Sequence, residues 1–382
     1  MKGLLRLFFI YLVLLFLLVS SASSWARPVL EARPLLPVRT ADNALLSLFR
    51  YEGGPNLSKV LLIVPGFLEG HELFANFASA AKQRGYEVLT AESRTVPGRG
   101  FDNPGELITL ERMFENDFEA LINRASEIAA GRELHYLGHS QGGILNVGAR
   151  PEVLEKITAS TLLATPTDLE DLGFLLKQSA SKLLWAMNKA EFLLKGTHWF
   201  DPYGTIFSFT WKVKNSGKPG AKALATVIES SAMLVGNFFL RKLLIDAEHV
   251  GGSQMRRLWF KELKAIPLHV LKGYAEAVER GYFVDAKGNR LIRPELYSRP
   301  LQAVVATKDV FISEEGFRSR FYDKVGSSIK RLVRIESKHV TVALNDSYIQ
   351  EILDFHDDPK AESGKAPVVT LRFNKCQREL MR

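Results

Sequence analysis

Residues 138–143 read Gly-His-Ser-Gln-Gly-Gly, a G-x-S-x-G stretch whose flanks constrain the fold more than any other feature of the chain. Glu133-Leu134-His135-Tyr136-Leu137 before it is short, apolar-alternating and strand-like, and Gly142 to Val147 after it can open a helix. A serine on so sharp a strand-to-helix turn adopts strained backbone angles, and the start of the helix must pass close to the strand. Gly138 and Gly142, two positions either side of the serine, permit both. Such a turn lifts the Ser140 hydroxyl into the open and aims backbone amides at negative charge developing on a carbonyl oxygen.

The rest of the chain is large enough to build a fold around that turn. It has 382 residues, 46% of them hydrophobic, which suits one domain with a big insertion or two domains. The first 26 residues read separately. Lys2 and Arg6 precede the apolar run Leu7 to Val19, and small residues follow up to Ala26. A basic start, an apolar centre and Ser24 and Ala26 before a cleavage point describe a secretory signal peptide. The run is short for a membrane span, so an exported protein, periplasmic or secreted, is the expectation and an uncleaved anchor the alternative. The lone Cys376 cannot form an internal disulfide. The formal charge of +8 comes from basic residues interleaved with acidic ones. That pattern describes a solvated surface and gives no support to nucleic-acid binding; attraction to an anionic membrane face fits it better.

Between Leu45 and Phe355 strands and helices mostly alternate. Leu45–Tyr51, Val60–Val64, Glu87–Ala91, Glu133–Leu137, Ile157–Ala164, Leu301–Ala306 and Arg331–Ile335 read as strands. Helices are expected over His71–Arg84, Thr109–Ala130, from Glu314, and over Val342–Phe355. This alternation predicts a mostly parallel sheet with helices on both faces. It stops from Thr167 to Pro300, a helical block inserted between two strands. Within that block helices are expected over Leu172–Leu194, Met233–Ile245 and from Pro267 to Gly281. After His356 the tail is polar apart from Val368-Val369-Thr370-Leu371, which can form an edge strand.

A serine hydroxyl is a poor nucleophile and needs a base, which in turn needs a carboxylate to orient it. Of eight histidines, His339 stands where the last strand of the alternating pattern ends, after Glu336-Ser337-Lys338. Asp309 follows directly on the Leu301–Ala306 strand, which sets the chain order Ser, Asp, His. Asp168, just after the Ile157–Ala164 strand, is the alternative acid. Oxyanion donors are expected from the amide of Gln141 and the amide of Phe67, where Gly66 lets the loop approach a substrate closely.

Taken together, Ile63-Val64-Pro65-Gly66-Phe67, Arg84 to Leu89, Gly138 to Gly143, Ala306 to Asp309 and Ser337-Lys338-His339 resemble an α/β-hydrolase over about residues 40–168 and 300–356. The resemblance implies an α/β-hydrolase core over 27–168 and 300–356, a helical cap or lid over 169–299, and a polar tail over 357–382. It implies no metal or organic cofactor. Gly273 to Phe283 is faintly similar to acid lipases and polyhydroxyalkanoate synthases, but the synthases carry cysteine where this chain has Ser140. Pro65 also departs from the family, many members having histidine before the glycine. The expected activity is a serine esterase or lipase acting on carboxylic esters with an apolar acyl chain. Acyl transfer through the same triad and a non-catalytic binding protein are the alternatives. The acyl preference rests on the cap's Phe174, Leu175, Trp185, Phe192, Trp199, Phe200, Phe207, Phe209, Phe238 and Phe239. That block could also touch a membrane surface, its apolar side chains otherwise serving to pack cap on sheet.

Overall fold

In the computed structural model the described residues are 36–51, 57–67, 69–95, 108–172, 174–190, 199–200, 212–213, 215, 266–285, 287–344, 348–363 and 368–371. The leader, the expected helix Met233–Ile245, Phe192, Phe207, Phe209, Phe238, Phe239 and Cys376 lie outside them.

Nine strands form one sheet. They are β1 (Leu36–Arg39), β2 (Leu45–Tyr51), β3 (Lys59–Val64), β4 (Tyr86–Glu92), β5 (Glu133–His139), β6 (Ala159–Leu163), β9 (Leu301–Ala306), β10 (Lys330–Ile335) and β11 (Val368–Leu371). A two-residue ribbon, β7 (Trp199–Phe200) with β8 (Ile266–Pro267), stands apart from it. The order across the sheet is β1-β2-β4-β3-β5-β6-β9-β10-β11. Only the pairings of β2 with β1 and with β4 are antiparallel; the others run parallel. β3 lies between β4 and β5 and is apolar after Lys59, as a parallel strand covered on both faces must be. β1 went unread in the sequence because four residues with a proline carry too little period-2 signal.

Helices connect the parallel strands, and three of them stop where a left-handed residue is available. Ala75–Gln83 ends before Gly85 (φ 87°), Phe118–Ala129 at Ala130 (φ 50°), and Leu268–Arg280 at Gly281 (φ 87°). The helix expected over Thr109–Ala130 is interrupted: Leu110–Arg112 passes through one π turn, Met113–Asp117, into Phe118–Ala129. The buried Arg94 guanidinium bonds both Asp117 and Asp42 beside that turn. The helix expected over Val342–Phe355 is described as Thr341–Leu344 and Ile349–Asp357, which puts His356 inside a helix rather than after one.

In the inserted block, Phe174–Ala190 packs on Leu268–Arg280 through a small cluster of Ala180, Leu184 and Ala275. Trp185 on the same helix is 65% exposed. The main core lies between the sheet and its helices, with Val60 to Ile63, Leu137, Leu301 and Val333 wholly buried.

Candidate active site

The parallel strands place Ser140, Asp309 and His339 at one edge. Ser140 follows β5, Asp309 comes three residues after β9, and His339 comes four residues after β10. In a parallel sheet all carboxyl ends face the same way, so residues nearly 200 positions apart can converge there.

The turn at Ser140 is strained, as its surroundings require. Its φ of 48° and ψ of −112° lie outside the ordinary regions for a residue with a side chain. The amide of Ser140 donates to the Leu163 carbonyl at 2.9 Å, and Ile144 donates back to the Ser140 carbonyl at 3.1 Å. A Cβ on Gly142 would stand 2.1 Å from the Val64 carbonyl oxygen, so the helix can pass this close to β3 only without a side chain. The buried Tyr136 hydroxyl donates to the Gly142 carbonyl at 2.7 Å and steadies the same turn. Gln141 is the first residue of the helix, so its amide has no partner within the helix.

Around the serine the distances are short. His339 Nε2 lies 2.9 Å from Ser140 Oγ, and His339 Nδ1 lies 2.6 Å from Asp309 Oδ2. Ionised Asp309 only accepts, so Nδ1–H donates to it and Nε2 is left to accept the serine proton. The Asp309 side chain is wholly buried, and its Oδ1 accepts the Phe311 amide at 2.8 Å. The Phe311 ring stands edge-on to His339, with centroids 5.1 Å apart. Ser140 keeps partial exposure, so a substrate can reach it.

The alternative acid is occupied elsewhere. Asp168 accepts from Arg290 at 3.1 Å, from the Glu170 amide at 2.9 Å and lies 2.9 Å from Arg320 Nε. It ties the start of the inserted block to the helix Glu314–Arg320. Phe67 lies in the loop after β3, half-buried, with its ring 5.1 Å from that of Tyr274 on Leu268–Arg280. A Cβ on Gly66 would meet Ser140 Cβ at 3.0 Å, so this loop and the serine are in direct contact.

One neighbour went unread in the sequence. Glu69 and His139 form a pair beside the serine, Oε2 to Nδ1 at 2.7 Å. Nothing local marks two residues 70 positions apart as partners. For metals, His71, Glu72 and Glu92 are the one group among the described residues whose ligand atoms lie within 4.8 Å of one another. His71 Nδ1 there is hydrogen-bonded to Glu92 at 2.8 Å, and its ring is stacked on Phe49.

No protein-family model matches the chain, and no curated protein matches its sequence. Solved structures do resemble it. A soluble variant of monoglyceride lipase from Saccharomyces cerevisiae, in complex with a substrate analogue, is 13% identical with a TM-score of 0.54. The likeness covers 89% of this chain and 99% of that one. DcsB in complex with its substrate analogue is 15% identical with a TM-score of 0.52, covering 87% and 99%. Proline iminopeptidase from Mycobacterium smegmatis is 14% identical with a TM-score of 0.50, covering 86% and 100%. With the strand order and the placement of the serine turn, these likenesses establish that the chain has the α/β-hydrolase fold.

Proposed function

We propose that the chain is a serine hydrolase of carboxylic esters. The observation that carries this reading is the chain of contacts from Ser140 Oγ through the His339 ring to Asp309, at 2.9 and 2.6 Å. Ser140 Oγ attacks the ester carbonyl as its proton passes to His339 Nε2. Asp309 holds the ring in the Nδ1–H tautomer and stabilises the imidazolium that forms. The amides of Gln141 and Phe67 take the developing oxyanion, each donor worth roughly 3–4 kcal/mol. His339 returns the proton to the leaving alkoxide, and water, activated by the same ring, releases the acid from the acyl-serine.

Likeness to a monoglyceride lipase supports an ester substrate, and the aromatic side chains of the inserted block support an apolar acyl chain. The test is covalent labelling with a fluorophosphonate probe, followed by turnover of p-nitrophenyl esters. The native protein is expected to label once and to lose both labelling and turnover in Ser140→Ala. A labelled Ser140→Ala variant, or an unlabelled native protein, overturns the reading.

A further inference from the structure

The reaction above leaves a buried acid–base pair unused. His139, the last residue of β5, is wholly buried, and the Glu69 side chain is 11% exposed. Glu69 Oε2 accepts the Gly66 amide at 2.6 Å and contacts His139 Nδ1 at 2.7 Å. On the other side of the ring, His139 Nε2 donates to the main-chain carbonyl of His339 at 3.0 Å. That carbonyl can only accept, so Nε2 carries a proton. Nδ1 faces an oxygen that already accepts the Gly66 amide, and the proton between them sits on the stronger base, the imidazole. Burial alone would push the His139 pKa down, but the Glu69 charge and hydrogen bond, the His339 carbonyl and Asp309 together hold it above the ordinary histidine value. With an acceptor beside each ring nitrogen, His139 is arranged to be held as an imidazolium against Glu69, its ring centroid 5.1 Å from that of His339.

Three loops meet on this pair: the loop after β3 through Gly66, the end of β5 through His139, and the loop after β10 through the His339 carbonyl. There is no slack in the first contact. A Cβ on Gly66 would lie 2.8 Å from Glu69 Oε2 and 3.0 Å from Ser140 Cβ, so the carboxylate, the loop and the serine are packed against one another. The Phe74 ring closes another side of His139 at 5.9 Å between centroids.

We propose that Glu69 and His139 are positioning residues, an ion pair that sets the oxyanion loop and the backbone of the catalytic base at a fixed separation about Ser140. The inference rests on the reading of Ser140 as nucleophile. Neither side chain needs to touch substrate. Losing the pair lets the Phe67 amide and the His339 ring drift relative to each other, which penalises the transition state more than substrate binding.

Two measurements test it. With histidine labelled by nitrogen-15, the native protein at pH 7 is expected to show both His139 ring nitrogens protonated, and Glu69→Gln to lose that signature. In turnover, Glu69→Gln and His139→Gln are each expected to lower kcat by about 10- to 100-fold with KM changed less than about threefold. The double variant should be little worse than either single one, because the two side chains act as a unit. The fluorophosphonate labelling rate should fall in step with kcat. A native protein that does not label sinks the nucleophile reading. Native labelling with an unchanged rate and kcat in a folded Glu69→Gln sinks the positioning pair alone. If the variants fail to fold, an unprotonated His139 ring nitrogen in the native protein overturns the pair by itself.

Discussion

At the scale of single residues, the proposed function separates side chains expected to react from those expected to hold. Ser140→Ala and His339→Ala are each expected to lower ester turnover by about 10⁴-fold or more, and the double variant to lose little beyond either. Losses that multiply would show that the two residues do not share one mechanism. The two aspartates offer a sharper contrast. Asp309→Asn keeps the shape but presents the wrong partner to His339 Nδ1–H, so kcat should fall by about 10⁴-fold with little change in thermal stability. Asp168→Asn instead weakens an ion cluster with Arg290 and Arg320, and it should lower the melting temperature while leaving kcat within about twofold. Reversal of these two phenotypes would move the acid to Asp168. Gly142→Ala tests the turn itself. Its new methyl meets the Val64 carbonyl backbone, which no side-chain rotation relieves, so the variant should be poorly folded in thermal denaturation.

At the scale of elements, the described part of the inserted block includes a pair of packed helices. Leu184, with Ala180, meets Ala275 across that contact, and Leu184→Ala is expected to cost about 2–3 kcal/mol of local stability. Because the second of these helices also presents Tyr274 to Phe67, loosening it should reach the loop after β3 and lower kcat modestly. Trp185 faces solvent, and the expected contact of the inserted block with a membrane surface can be tested there. Trp185→Ser is expected to weaken sedimentation with phosphatidylglycerol vesicles and to leave hydrolysis of a soluble p-nitrophenyl ester unchanged. If the block also shapes an apolar pocket, catalytic efficiency should rise several-fold per pair of carbons from acetate toward medium chains, each buried methylene being worth about 0.8 kcal/mol at most. A strict preference for acetate would leave a serine hydrolase without the apolar acyl preference.

At the scale of the whole molecule, stability has a built-in acid dependence. His135 and His356 are buried together, ring nitrogens 3.2 Å apart, with Thr161 Oγ1 2.8 Å from His356 Nε2. Burial pushes His135 down to about 4 and His356 well below the ordinary value, the nearby Lys59 adding to both. Both rings are neutral when folded and take up protons near pH 6.5 when unfolded, so their contribution is intact above 6.5 and is lost as pH falls toward 4. Burial lifts Asp117 to about 6 despite Arg94, which tilts the profile the other way over part of that window. The histidine effect is therefore read as a difference: the native melting temperature should drop more steeply between pH 6.5 and 5 than that of His356→Gln.

The sequence alone determined the alternation of strands and helices, the strained serine, and the chain order of the acid and base, because these are written in periodicities and in glycines needed within a few residues. Strands β2 and β9 were legible to the residue for that reason. Only the tertiary structure set Asp309 against His339 and Asp168 between Arg290 and Arg320, put β11 beside β10, and joined Glu69 to His139. Those outcomes depend on which carboxyl ends the sheet order brings together and on which charges are left without water, and neither is encoded over short distances along the chain.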